Sequence, residues 1–119
     1  MNKTIKIAAV FGFTAVALGA FGAHALKDML IDSGRLDTYE TAVKYQFYHT
    51  IALLVIGFIQ LSNDTKSLKW SANLMTIGII IFSGSLYILC LSGITFLGAI
   101  TPIGGLCLMA GWIALVKAH

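Results

Sequence analysis

The sequence contains very little charge for its length. Charged residues make up only 11% of the 119 residues, whereas a soluble domain carries about 25%. Hydrophobic residues make up 58%, so the polar side chains are too few to cover a water-soluble core. A soluble globular protein is therefore excluded. The length fits a single domain embedded in a membrane.

Other scarcities exclude several classes of function. Neither Cys90 nor Cys107 has a second cysteine nearby, so a cysteine metal or redox pair is excluded and a packing role is favoured. The net charge of +3 comes from basic residues that are dispersed beside apolar segments, which does not indicate a nucleic-acid partner. No assembled catalytic constellation, phosphate loop or metal motif is present. We therefore expect a non-enzymatic protein with no cofactor and no metal.

Four apolar runs are long enough to cross a membrane as helices. At 1.5 Å per residue, a run of about 22 residues spans about 33 Å, which is one bilayer crossing. The runs predict an all-α integral membrane four-helix bundle with antiparallel up-down topology, formed as one domain over residues 1–119. The predicted helices cover residues 5–26, 38–61, 68–91 and 102–117.

The start of each helix is marked by local signals. Lys3 and Lys6, followed by an apolar stretch and the triplet Ala23-His24-Ala25, resemble a cleavable signal peptide. The apolar stretch exceeds a usual signal core, so we expect a retained helix. Asp37, with Glu40 three positions later, predicts the N-cap of the second helix. Thr101 before Pro102 predicts the N-cap and first turn of the fourth helix.

The fourth helix is short for a crossing. Residues 102–117 would span about 24 Å, so either this helix tilts little or the uncharged segment 93–100 dips into the membrane against protein. Both alternatives remain compatible with the sequence.

The distribution of basic and aromatic residues predicts an orientation. Four crossings place both termini and the turn at residues 62–69 on one side, with five basic residues against three on the other side. The positive-inside rule then predicts cytoplasmic termini and an external charged loop at residues 27–44. The aromatic anchors are predicted to divide between the terminal side (Trp70, Trp112) and the opposite half (Tyr39, Tyr45, Tyr48, Tyr87).

Small residues recur at helical spacing in three of the runs. Such residues let helix backbones approach closely in lipid, so they indicate compact helix packing and, more weakly, a homo-oligomer. They are Ala8, Gly12, Ala15, Gly19 and Ala23 in the first helix, Gly78 and residues 83–85 in the third, and Gly104, Gly105 and Gly111 in the fourth.

Polar residues of several helices are predicted to share one membrane leaflet. The first helix leaves the membrane where the second enters it, so the two bring their polar residues to the same side. The candidate polar cluster consists of His24, Tyr45, Gln46, His49, Tyr87 and Thr101.

Two interpretations of this cluster are open. In one, His24 and His49 ligate a metal or haem or relay a proton, since imidazole titrates near neutral pH. In the other, which we favour, His24 and His49 lie at the depth of the membrane interface and form hydrogen bonds across helices or to lipid headgroups, as is common in membrane bundles. In either case we expect the two histidines to approach each other or to share a partner.

Several ordered motifs resemble one known family. They are residues 19–26 (GAFGAHAL), 39–42 (YETA) leading into 45–49 (YQFYH), 84–87 (GSLY) and 101–105 (TPIGG) ending at Gly111-Trp112. The chain thereby resembles the domain-of-unknown-function 423 family, the YgdD-type small membrane proteins, which are similar to animal transmembrane protein 256. The resemblance implies a bacterial inner-membrane protein and carries over no catalytic residue. The residues that fall in the motifs are His24, Gln46, His49, Tyr87, Thr101 and Pro102.

Three functional hypotheses follow. The first is an oligomeric component that binds membrane lipids or a partner membrane protein and supports membrane integrity. The second is a minimal transporter or channel formed by an oligomer, although the apolar runs lack the acidic residues typical of such sites. The third is a haem- or quinone-binding redox subunit, which depends on His24 and His49 alone.

Overall fold

The chain folds into helices throughout the part that the structure describes. The structure is a computed structural model that describes residues 2–118. Its helices are α1 (Lys3–Ala23), α2 (Lys27–Asp32), α3 (Leu36–Ser62), α4 (Lys66–Ser92), a 3₁₀ helix (Thr95–Ala99) and α5 (Thr101–Val116). Four segments are long and apolar enough to cross a membrane. The predicted all-α class with four membrane-spanning helices is therefore confirmed.

The spanning helices pack in the order α1, α3, α4, α5. Each of these helices has its main contacts with its neighbours in that order. The Cα atoms extend over 48 × 26 × 16 Å, so the molecule is elongated along one axis and narrow along another. The inner helices α3 and α4 are consequently more buried than the outer helices α1 and α5.

In the pair α1 and α3, the start of each helix contacts the end of the other. Asn2, at the start of α1, donates a hydrogen bond of 2.9 Å to the carbonyl of Gly57 near the end of α3. Tyr39, at the start of α3, donates one to the carbonyl of Leu18 near the end of α1. One end of the molecule thus contains residue 2 and the turn between α3 and α4, and the other contains α2.

A short helix, α2, occupies the place where only a polar loop was predicted. α1 ends at Ala23, three residues before the predicted end, because the Leu26 N–H turns back to the Phe21 carbonyl at 2.8 Å. α2 ends at Asp32, and the turn that follows contains Gly34, whose φ of +72° is a left-handed conformation that favours glycine. The Arg35 N–H closes this turn on the Leu30 carbonyl at 2.8 Å.

The predicted N-cap at Asp37 is wrong. α3 begins at Leu36 with Arg35 in the capping position, and no side chain caps it. The reason is the turn at Gly34, which brings the chain into helical geometry before Asp37 is reached. Asp37 instead lies in the first turn, where a carboxylate is favourable next to the helix dipole.

The connection into the last crossing is helical. The 3₁₀ helix packs against α4 and α5, and the continuous segment Thr95–Val116 of 22 residues is long enough to span a membrane. The predicted N-cap at Thr101 is wrong, since Ile100 takes that position and Thr101 is the first residue of α5. The preceding 3₁₀ turn already supplies the helical entry, with the Ile103 N–H bonded to the Ile100 carbonyl at 3.0 Å.

Glycines form the interface between α4 and α5. A Cβ atom at Gly78 would lie 2.6 Å from the Leu108 side chain, and one at Gly111 would lie 2.7 Å from Met75. A Cβ at Gly104 would collide with the backbone of Phe82. These helices therefore approach as closely as their backbones allow, as the small-residue spacing in α4 and α5 predicts.

Candidate functional site

Gln46 is the centre of a hydrogen-bond network that joins three helices. Its Nε2 donates to the Phe11 carbonyl at 2.9 Å and to the Thr14 hydroxyl at 2.8 Å, both on α1. Its Oε1 accepts from the Tyr87 hydroxyl of α4 at 2.6 Å. The side chain is only 3% exposed, so all of its polar atoms are satisfied inside the protein.

Two serine hydroxyls of α4 also bond to the backbone of the neighbouring helices. Ser83 of α4 donates to the Ala42 carbonyl of α3 at 2.7 Å. Ser71 of α4 donates to the Gly111 carbonyl of α5, also at 2.7 Å. Both serines are buried. The sequence indicated Ser83 only as a small residue and did not indicate Ser71, because a hydroxyl at an apolar position gives no signal of its partner.

His49 forms a pair with Trp112 that joins α3 to α5. The Trp112 indole N–H donates to Nε2 of His49 at 3.0 Å, and Nδ1 lies 2.8 Å from the Tyr45 carbonyl. Because an indole only donates, Nε2 must accept, and the proton of the neutral ring therefore lies on Nδ1. Both ring nitrogens are thus occupied, and neither has a lone pair free for haem iron.

Trp112 does not have its predicted role as an aromatic anchor on the terminal side. Its ring lies 5.8 Å from the His49 ring, and His49 is the central residue of α3. A helical side chain leans toward the N-terminus of its own helix, so the indole reaches from the C-terminal part of α5 toward the middle of α3. Trp112 is an interhelical partner.

The structure divides the predicted polar cluster. Gln46 and Tyr87 are bonded to each other, and Tyr45 stacks on His49 with ring centroids 6.0 Å apart. Thr101 belongs to a separate pair, in which its hydroxyl lies 2.6 Å from that of Ser85.

His24 lies apart from His49, contrary to the expected approach. It is an exposed residue at the C-terminal cap of α1, beside apolar residues of α1 such as Phe21. His49 uses both ring nitrogens for Tyr45 and Trp112, so the histidines share no partner. The prediction failed because connectivity fixes the leaflet in which a side chain lies and not the direction in which it points.

An aromatic groove lies between α3 and α5. Its volume is about 480 Å³. Phe82 of α4 lies between the two helices, and its ring centroid is 4.9 Å from that of Tyr45. We call this the aromatic groove; its lining is formed mainly by Tyr45, Tyr48, His49, Phe82, Met109 and Trp112.

Comparison with known proteins gives consistent matches over nearly the whole chain. The UPF0382 membrane protein SH2409 of Staphylococcus haemolyticus is 44% identical, with 98% of this chain and 93% of the relative covered. YwdK of Bacillus subtilis is 42% identical, with 99% and 96% covered. The UPF0382 inner membrane protein YgdD of Escherichia coli is 37% identical, with 92% and 82% covered. No solved structure matches this chain.

A family model described as "Protein of unknown function (DUF423)" matches residues 18–105. The chain belongs to the DUF423 family. It is an integral membrane protein, and the resemblance seen in the sequence motifs is confirmed. In this DUF423 protein the family match contains Gln46, His49 and Tyr87, whereas Trp112 lies beyond it. The interhelical partner of His49, Trp112, therefore lies outside the matched segment.

Loss of the His49 side chain should weaken this DUF423 protein modestly. His49→Leu removes one interhelical hydrogen bond and leaves the Trp112 N–H without its acceptor, so we expect a loss of about 0.5–2 kcal/mol in unfolding free energy. His24→Leu is the matched control and should have little effect, because His24 is exposed. Thermal unfolding with and without chelator measures both. A stoichiometric metal that is lost in both variants would contradict this structural role.

Proposed function

We propose that this DUF423 protein is a non-enzymatic, homo-oligomeric protein of the bacterial inner membrane that binds lipid and thereby supports membrane integrity. The observation that carries the proposal is the aromatic groove, where a lipid acyl chain would lie between α3 and α5. Its volume of about 480 Å³ falls within the range of about 300–1,000 Å³ that is typical of small-molecule sites.

The size of the groove favours a lipid chain over a helix of a partner protein. The groove runs along residues 45–49 of α3 and 105–112 of α5, a length of about 12 Å at most. That is about two turns of a helix, which is too short to seat a spanning helix. A flexible acyl chain needs no such length, and apolar side chains such as Phe82, Leu108 and Met109 provide its contacts.

The absence of enzymatic activity is supported by the way polar side chains are used. Every side-chain polar atom of Gln46 and His49 has a hydrogen-bond partner inside the protein. All of these partners lie on other helices except the Tyr45 carbonyl, which belongs to α3 itself. A general acid, base or nucleophile needs an atom that is free to meet a substrate. The interhelical bonds therefore favour a structural role for these residues.

Association of several copies is supported by the arrangement of the helices. The order α1, α3, α4, α5 leaves each outer helix with one main neighbour, and large apolar side chains such as Phe13 on α1 and Ile113 on α5 are exposed. Small residues also remain open, since nothing lies within 4 Å of a Cβ atom at Gly84. Close packing of a second copy requires such surfaces.

Filling the aromatic groove should release the lipid. In Gly105→Leu the added side chain would begin 3.7 Å from the Phe82 ring, which is ordinary contact, and would extend into the groove. We expect severalfold less retained lipid when the protein is released from nanodiscs of phosphatidylethanolamine and phosphatidylglycerol and weighed by native mass spectrometry. Ala99→Leu enlarges an exposed side chain outside the groove and should retain lipid like the wild type.

The same mass measurement tests the oligomer. Wild-type particles should have a mass of two or more chains with bound lipid. A strictly monomeric, lipid-free particle would refute both parts of the proposal, and equal lipid retention by Gly105→Leu and the wild type would refute the groove as the site.

The termini are proposed to be cytoplasmic. Single cysteines at Ser33 and Ser67, introduced after both native cysteines are replaced by alanine, should differ in labelling by an impermeant reagent added outside the cell. Ser33 lies at the C-terminal end of α2 and Ser67 near the start of α4. We expect labelling of the Ser33 site only, because the side with more basic residues stays inside. Labelling of the Ser67 site alone would establish the opposite orientation.

A further inference from the structure

A second cavity lies where the end of α1 meets α2 and the beginning of α3. Its volume is about 410 Å³. Its charged side chains are Lys27, Glu40 and Lys44, and its apolar wall includes Leu36 and Val43. We call this the headgroup pocket. It is separate from the aromatic groove, because the two share no lining residue.

The headgroup pocket lies at the level of the polar surface of the membrane. After Lys44, α3 contains no charged residue through Ser62. These 18 residues span about 27 Å, close to the thickness of the hydrocarbon core. Lys44 therefore marks the membrane boundary, and Glu40 and Lys27 lie outside it.

The charged side chains of the pocket do not form ion pairs with one another. Glu40 and Lys44 are four residues apart, a spacing that permits an ion pair. Within residues 2–118, however, the one ion pair with a separation of 4 Å or less joins Lys69 to Asp64. Lys27, Glu40 and Lys44 are also exposed. Two ammonium groups and one carboxylate are thus available to a ligand.

We propose that this pocket binds the headgroup of a phospholipid that carries both a phosphate and a primary ammonium group. The phosphate would bind Lys27 and Lys44, and the ammonium would donate to the Glu40 carboxylate. A purely anionic headgroup would leave Glu40 without a counter-charge. A quaternary ammonium would match the charges but has no N–H to donate.

The walls of the pocket favour a lipid over free phosphate. Leu36 and Val43 provide apolar contact below the charged rim, where the glycerol and the first part of the acyl chains would lie. Tyr39 packs against Gly22 so closely that a Cβ atom there would collide with its ring. The ring is held by the hydrogen bond to Leu18, so this wall is formed before the ligand binds.

The test measures which lipids remain with the protein. The full chain is released from nanodiscs of equimolar phosphatidylethanolamine, phosphatidylcholine and phosphatidylglycerol with identical acyl chains, and bound lipid is identified by mass spectrometry. We expect phosphatidylethanolamine to be enriched over either competitor by up to about fivefold, the value of one interfacial ion pair. Glu40→Gln should abolish this enrichment and raise the share of phosphatidylglycerol.

Variants that each remove one lysine charge distinguish a specific headgroup site from general attraction between lysines and lipid. Lys44→Gln and Lys27→Gln should lower the retention of all three lipids, whereas Lys66→Gln, at the start of α4 and outside the pocket, should not. Unfolding temperature confirms that each variant is folded. Equal losses in Lys44→Gln and Lys66→Gln would refute the site. Loss of the enrichment in excess inorganic phosphate would assign the pocket to free phosphate and overturn the lipid assignment.

The headgroup pocket rests on the proposed lipid binding. The same measurements distinguish failure of the pocket from failure of lipid binding altogether. Retention of lipid that responds to Gly105→Leu but shows no headgroup preference would refute the headgroup pocket alone. Retention of no lipid at all would refute both proposals. Enrichment of phosphatidylethanolamine that persists in Glu40→Gln would refute the role of the carboxylate.

Discussion

Alanine in place of Gly104 should destabilise the protein by about 2–3 kcal/mol, in the upper part of the range for an overpacked core. The added Cβ would lie 2.8 Å from Cα and 2.9 Å from Cβ of Phe82, and closer still to its backbone nitrogen. A backbone cannot rotate away as a side chain can. α4 and α5 would therefore have to separate along their shared interface, which also loosens the contacts at Gly78 and Gly111.

The adjacent glycine provides the control. A Cβ at Gly105 would meet only the ring of Phe82, at 3.7 Å, so Gly105→Ala should be neutral or slightly stabilising, because alanine is the better helix former by about 1 kcal/mol. Reversible unfolding in mixed micelles measures both free energies. Similar values for Gly104→Ala and Gly105→Ala would contradict the close approach of the two helices.

Gln46→Leu should destabilise the protein by about 2 kcal/mol. The substitution removes bonds to the Phe11 carbonyl, the Thr14 hydroxyl and the Tyr87 hydroxyl, and each interhelical bond in a membrane is worth about 0.6 kcal/mol on average. It also leaves the Tyr87 hydroxyl without an acceptor. Gln60→Leu is the control, since Gln60 lies near the end of the same helix and bonds only to the exposed Asp64.

A double variant tests whether the network acts as a unit. Tyr87→Phe removes the hydroxyl that Gln46→Leu would leave unsatisfied, so the combined loss should be smaller than the sum of the two single losses. Strict additivity of the unfolding free energies would mean that the two side chains do not interact, contrary to the structure.

The spanning helices were predictable because long apolar runs can satisfy their backbone in a membrane only as helices. The ends were less predictable because they depend on turns. The position of Gly34 decides where α2 ends and where α3 begins, and this moves Asp37 from the predicted cap into the first turn. A capping pattern describes a few residues and does not include the geometry that precedes them.

The candidate site was predictable in composition but not in geometry. Gln46 and Tyr87 were assigned to the same leaflet, and the structure bonds them to each other. Trp112 was assigned to the opposite side by the position of its Cα, yet its indole reaches His49. Ser71 gave no signal and Ser83 was indicated only as a small residue, because a serine in an apolar run is equally consistent with a small packing residue and with a hydrogen-bond donor.

The order of packing also bears on how the chain assembles as it is synthesised. Each spanning helix makes its main contacts with the spanning helix before it and the one after it in the chain, so no helix must wait for a distant segment before it can pack. α3 can dock on α1 before α4 exists, and α4 and α5 can then be added in turn. Such a low contact order favours rapid folding. The bond from His49 to Trp112, 63 residues away, would be among the last to form and would join α3 to the newly arrived α5.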